Sequence, residues 1–417
     1  MRRRAALISG LLWLSVSGCG QHPDGARVVP GHSDAVVTRP LIELFSWWTA
    51  RGEAEALQAL IDTHKRAHPT ARLFNAAAAS GSKARESLSE RIASGQPPDM
   101  FQQNAHDLRA FVGKHPGQLL PLDELFDGLD LGKSVYPEVI RDVTLGGHIY
   151  AMPVNIHREN TLFFNRKLLA AHGIAPPSSF EDLLAACQRL KERGVVPLAT
   201  SHQGWILRIL FNSIAMGRLG SEQYYRYFTG DLPADDPSLR EAIRVFAEVL
   251  ENYVNPDAGE EGFGWTSAAQ AVYTGDAAMF LHGDWAKGYF AQLGWEPGVD
   301  FGAVGAPGAQ GLFLYGVDTF SLPRGAPNTE GAKAFLRTIA STEGQVAFNN
   351  LKGSSPIRSD VAAADLDAVA RVTAADLQQA SRRMLVRGRE AWDEALAQFA
   401  KDRDQEKLFQ AYVQNPP

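Results

Sequence analysis

Phe45-Ser46-Trp47-Trp48-Thr49-Ala50-Arg51-Gly52-Glu53 is the stretch on which the reading of this 417-residue chain turns. Residues 41–46 are short and apolar enough for a buried strand. After Gly52 the apolar residues Ala54, Leu57, Leu60 and Ile61 recur at helical spacing. Residues 47–52 are therefore a turn from strand to helix. In an open α/β sheet such turns lie at the carboxyl ends of the strands, where ligands bind. A flat indole there suits the apolar face of a pyranose ring, and the Glu53 carboxylate beside it can accept hydroxyl hydrogens. The competing reading is that both rings are core, since tryptophan is usually well buried. Neighbours in a strand point opposite ways, so at least one of such a pair is often structural.

Two later stretches extend the pattern, Pro97-Pro98-Asp99 and Met152-Pro153-Val154-Asn155-Ile156-His157-Arg158. Together with Trp47-Trp48-Thr49 and Gly52-Glu53, and in this order, they resemble the glucose-binding branch of the extracellular solute-binding proteins, the receptors of ABC sugar importers. Maltose-binding protein is a more distant relative, and the likeness runs through nearly the whole mature chain. It implies an α/β fold of two lobes, periplasmic-binding-protein-like and of type II, with hinge strands between the lobes. It also implies a monosaccharide ligand, glucose or a close relative, no cofactor, no enzymatic activity, and docking on ABC permease subunits in the membrane.

The chain opens with Met1-Arg2-Arg3-Arg4, an apolar run over residues 5–16 and a small-residue end at Ser17-Gly18-Cys19, the layout of an export signal. Val16-Ser17-Gly18-Cys19 looks like a bacterial lipobox. The expected product begins at a lipidated Cys19, tethered to a membrane through residues 19–39 and located in the periplasm or at the cell surface. An ordinary signal peptide is the alternative. No later segment is long and apolar enough to span a bilayer. Cys19 and Cys187 are the two cysteines, so the exported form holds together without a disulfide, and Cys187 reads as a small buried residue. A net charge of −6, with acids and bases intermixed, leaves no basic stripe for nucleic acid. A monomer is expected, with residues 40–154 and 300–340 as the first lobe and 155–299 and 341–417 as the second.

Further candidates lie along this frame. Gln102 and Asn104 end the strand after Pro97-Pro98-Asp99, and alternation puts them on one side, where their amides suit sugar hydroxyls. His64 and His68 have the i,i+4 spacing of metal ligands, but Lys65 and Arg66 lie between them and no acid completes the motif, so a solvated pair is expected. Gly81-Ser82-Lys83 lacks the second glycine of a phosphate loop. Asn155 and His157 are expected near the cleft floor, His157 in a structural role. The resemblance carries Trp285, at the end of Gly275-Asp276-Ala277-Ala278-Met279-Phe280-Leu281-His282-Gly283-Asp284-Trp285, and Trp265 over as stacking residues. Packing is the other reading for both rings. Asp318 interrupts an apolar strand, so it must be paired or face a polar cavity. Lys352 is carried over as a hydroxyl contact. Related glucose binders place a histidine in the tail, where residues 374–417 read as helical and offer Arg382 and Arg383 instead; an arginine there would accept a different or an acidic substituent. The rival functions are a secreted glycoside hydrolase using Glu53 and Asp318, and a sugar-sensing lipoprotein not coupled to transport.

Overall fold

The computed structural model describes residues 41–77, 81–233, 235–386 and 390–414. The expected export signal, tether and lipidated Cys19 lie outside the described residues, as do the surroundings of Gly81, Ser82 and Lys83. Among the described residues, no helix is long and apolar enough to cross a membrane.

One sheet has the strand order Arg72–Asn75, Leu41–Phe45, Met100–Asn104, Asp318–Ser321, Met152–Pro153. The first three run parallel; Asp318–Ser321 then pairs antiparallel with Met100–Asn104 and with Met152–Pro153. Parallel strands need crossover connections, and the helix Glu53–Ala67 supplies the first. It buries Ala56, Leu57, Leu60 and Ile61 against the sheet's core and carries acids in its first turn and bases in its last, as the helix dipole favours. His64 on this helix is buried rather than solvated. Its Nδ1 lies 2.8 Å from Thr338 Oγ1 and its ring packs edge-on against Phe335, so burial, with His68 adding to it, lowers its pKa to about 4.

A second sheet has the order Phe301–Gly305, Thr161–Asn165, Ala277–His282, Val196–Ala199. Both of its faces are covered, which is why its strands are apolar throughout: Leu162, Phe164, Met279 and Leu281 enter one core, Phe163 and Phe280 another. Phe301–Gly305 was expected in the first lobe. It pairs instead with Thr161–Asn165, because Phe301 completes an aromatic cluster with Phe163, Phe290 and Trp295. Cys187 is wholly buried in the same lobe, and burial pushes its thiol pKa up.

Between the two sheets the strand Leu312–Gly316 pairs with Arg382–Leu385 and with His157–Arg158. Its alternation serves both lobes: Phe313 and Tyr315 enter the first core, Leu312 and Leu314 the second. Residues 341–417 likewise divide instead of joining the second lobe as a block. Phe348, Ile357 and Leu377 pack into the first core, Met384, Trp392 and Tyr412 into the second. The tail is not wholly helical, since Arg382–Leu385 is a strand. Its arginines are engaged elsewhere, Arg382 with Glu222 and Arg383 with Glu138.

The lobes meet closely at Gly52. Its φ of 84° is in the left-handed region, and a Cβ there would lie 2.6 Å from the backbone carbon of Gly288 in the other lobe. Gly52→Ala is expected to hold the lobes apart and to weaken any ligand that bridges them by about tenfold or more, measured by titration calorimetry.

Candidate functional site

The ends of three first-sheet strands and the crossing strands converge on one buried cluster. Strand register sets Asp318 opposite Asn104. Gln102 Nε2 donates to Asp318 Oδ1 at 3.3 Å, while its Oε1 accepts from the Trp47 backbone at 3.2 Å. Asn155 Nδ2 donates to Asp318 Oδ2 at 3.1 Å, and Asn155 Oδ1 accepts from the Asp318 backbone. His157 then joins the lobes: Nε2 is 3.1 Å from Asp318 Oδ2 and Nδ1 is 2.5 Å from Asp284 Oδ1. Asp284 Oδ2 also accepts from the Arg158 backbone at 2.8 Å.

Asp318 is only 6% exposed. Burial alone would raise its pKa, but the His157 hydrogen bond and charge, helped by Lys352 and Asn155, hold it down at about 2. For His157, burial and Lys352 push the pKa down, and Asp284 and Asp318 more than offset them, so the net shift is upward. A raised histidine stabilises fully below its unfolded value of about 6.5 and loses that contribution as pH rises through the folded one. The gap in urea midpoint between the wild type and His157→Gln is therefore expected to be widest below about pH 6.5 and to narrow at alkaline pH.

A second pair closes the cluster. Lys352 Nζ, with its side chain 2% exposed, donates to Glu53 Oε1 at 2.8 Å and lies 5.9 Å from the ring centroids of both Trp48 and Trp285. Trp285 meets the His157 ring edge-on at 5.1 Å. Trp265 stands one ring further out: it stacks at 5.7 Å on His282, which in turn meets Trp285 at 4.9 Å.

The structure thus brings Glu53, Gln102, Asp318, Trp285 and Lys352 into direct or near contact. Trp265 joins them through His282, and Asn104 through strand pairing. Trp47 is half-buried at the turn. Trp48 goes the other way: it is 1% exposed and packed against Phe320 and Phe348, so it is a core ring and not an open stacking surface. Asp284, His282 and Trp205 were missed by sequence reasoning. Asp284 lies 127 residues from His157 in the chain, so no short-range pattern could pair the two.

Chemically, three carboxylates (Glu53, Asp284, Asp318) gather around Lys352 and the His157 ring, so acids outnumber the cations even when His157 is protonated. Such a cluster favours neutral hydroxyl donors over anions. It offers acceptors and amide donors between indole rings, the usual composition of a polar ligand site.

Residues 52–346 match the family described as bacterial extracellular solute-binding protein. An uncharacterised ABC transporter extracellular-binding protein of Pyrococcus horikoshii is 33% identical, with 91% of this chain and 85% of that protein covered. A xylose/arabinose-binding protein of Haloferax volcanii is 28% identical over 80% of this chain and 73% of its own length. Among solved structures, the bacterial solute receptor AcbH, described with an exclusive preference for β-D-galactopyranose, superposes with a TM-score of 0.77 at 18% identity, covering 90% of this chain and 97% of that one. These three proteins are described as binding proteins or receptors, none as an enzyme.

Proposed function

This chain belongs to the bacterial extracellular solute-binding proteins, and we propose on that footing that it captures a neutral monosaccharide, glucose or a close relative, between its two lobes. It then delivers the sugar to the permease subunits of an ABC importer. In this reading it works outside the cytoplasm as a monomer, in the periplasm or at the cell surface, held to a membrane by a lipidated Cys19. Trp47, Trp265 and Trp285 supply stacking faces, with Trp48 as the wall behind them. Glu53, Gln102, Asn104, Asp318 and Lys352 bond the hydroxyls.

The observation that carries this reading is the His157 bridge between Asp284 and Asp318, which sets an ionised acceptor at the junction of the lobes beside an indole. A ligand that donates to Asp318 and stacks on Trp285 touches both lobes at once, so its binding favours the closed arrangement. The sugar-binding relative from Haloferax supports the ligand class. A glycoside hydrolase would need one carboxylic acid able to protonate a leaving group. Asp318 is held ionised and Glu53 is tied to Lys352, so neither suits that task.

Thermal unfolding of the purified protein with glucose, galactose, mannose, xylose and a sugar acid tests the reading. A ligand present at about 100 times its Kd adds about 2.7 kcal/mol to stability. Neutral hexoses are expected to raise the Tm and the sugar acid to leave it unchanged. A rise with the sugar acid alone would contradict the proposal.

A further inference from the structure

Resting on the sugar-binding reading above, we propose that the helix Ala368–Gln379 is a clamp for the site: its acids Asp367 and Asp376 hold the buried cations Lys287 and Arg158, and through them position Asp284 and Trp285 for the ligand. All four are positioning residues. Their charged groups pair with one another, and they reach the ligand only through Asp284 and Trp285.

Asp284 is held from two sides through backbone groups. Its Oδ2 accepts from the Arg158 N–H at 2.8 Å, and its own N–H donates to the Arg158 carbonyl at 2.9 Å. Its carbonyl accepts from the Lys287 N–H at 3.0 Å. Arg158 directly follows His157, and Lys287 lies in the first turn of the helix Ala286–Gln292, just after Trp285. Where Arg158 and Lys287 sit therefore decides where Asp284 meets His157 and how Trp285 enters its helix.

Side-chain charge decides where those two sit. Arg158 is 5% exposed; its Nη1 donates to Asp376 Oδ2 at 2.6 Å, and its guanidinium carbon lies 5.1 Å from the centre of the Phe313 ring. The side chain passes over Gly305, where a Cβ would lie 2.1 Å from Nη2. Nε is enclosed without a partner, so Asp376 is the one hydrogen-bond acceptor for this side chain among the described residues. Burial pulls the Arg158 pKa down against the charges of Asp376 and Asp284. Lys287 is wholly buried, and its Nζ pairs with Asp367. Parting either cation from its acid would leave an uncompensated charge in the interior, which is costly enough to hold each side chain in one place.

Both acids belong to one rigid element. Asp367 caps the helix: its Oδ1 accepts from the N–H groups of Val369 and Ala370 at 2.9 Å each, while Oδ2 faces Lys287. Asp376 follows in the third turn. The helix is seated independently of the two pairs, because Val369 packs into the aromatic cluster of the second lobe and Leu377 into the first core. A helix fixed in both lobes, with one acid for each buried cation, is a support that locks a site's geometry from outside it.

The test follows sugar affinity by titration calorimetry with glucose, galactose, mannose and xylose, and the His157 ring by NMR of the histidine-labelled protein without sugar. His157 faces Asp284, Asp318 and Lys352, and Asp284 is one of the groups that hold its proton. An Asp284 less firmly placed therefore lowers the titration midpoint of the ring. Asp376→Asn is expected to weaken the best-bound of these sugars about tenfold and to lower that midpoint by about half a unit or more. Leu239→Ala, in the second core and outside both pairs, is expected to lower the Tm while leaving affinity within about twofold and the midpoint in place. If Asp376→Asn fails to fold, the double variant Arg158→Met with Asp376→Asn leaves no buried charge behind and is read the same way. A folded variant whose His157 midpoint matches that of the wild type would overturn the clamp, whatever its affinity. Absence of any sugar binding by the wild type would overturn the reading on which the clamp rests, and the midpoint alone would then decide the clamp.

Discussion

Asp318→Ala is expected to abolish sugar binding and to lower stability by about 3–5 kcal/mol, the usual cost of removing one member of a buried ion pair. Three side-chain donors converge on this carboxylate, from Gln102, Asn155 and His157. Alanine leaves all three without their acceptor and leaves His157 facing Asp284 alone. Asp318→Asn keeps the shape and removes the charge, so it separates the two losses. Since the Asp318 pKa is depressed to about 2, its contribution is complete above the unfolded value of about 3.9 and is lost as pH falls from about 4 toward 2. The difference in urea midpoint between the wild type and Asp318→Asn should shrink over that interval. A difference independent of pH would show that the charge plays no part.

Lys352→Met is expected to have the next largest effect, a loss of about 3 kcal/mol in stability together with about a hundredfold loss in sugar affinity. The lysine is buried, and its one hydrogen-bonded partner among the described residues, Glu53, would be left as an uncompensated carboxylate at the start of its helix. The double variant Glu53→Gln with Lys352→Met distinguishes a packing role from a ligand role. It should recover most of the stability, because no charge remains unpaired. Sugar affinity should stay low, because both hydroxyl contacts are gone. Recovery of affinity along with stability would make the pair structural only.

Local patterns in the chain were enough to place the helix at Glu53, the strand end carrying Gln102 and Asn104, and the need for Asp318 to be paired. In each case the signal is a short-range period or a single charge in an apolar run. Partners distant in sequence were not legible in the same way. Glu53 and Lys352 were both assigned to sugar hydroxyls, yet they are 299 residues apart and bond to each other. Phe301–Gly305 looked like a strand returning to the first lobe, and only the Phe163, Phe290 and Trp295 cluster draws it into the second. His64 looked solvated because Lys65 and Arg66 flank it, although its own helix face turns toward Phe335 and Thr338. The strand Arg382–Leu385 was hidden in a tail rich in helix-forming residues, where pairing with Leu312–Gly316 overrides propensity.

On the proposed reading, a neutral sugar is held where Asp318, His157 and Trp285 meet between the lobes. Calorimetric titration of glucose into the purified wild-type protein and into Asp318→Ala, with folding of the variant checked by circular dichroism, tests it most directly. Saturable one-to-one binding is expected in the wild type and none in the folded variant. Binding that survives the substitution unchanged, or no heat from any neutral sugar with the wild type, would contradict it.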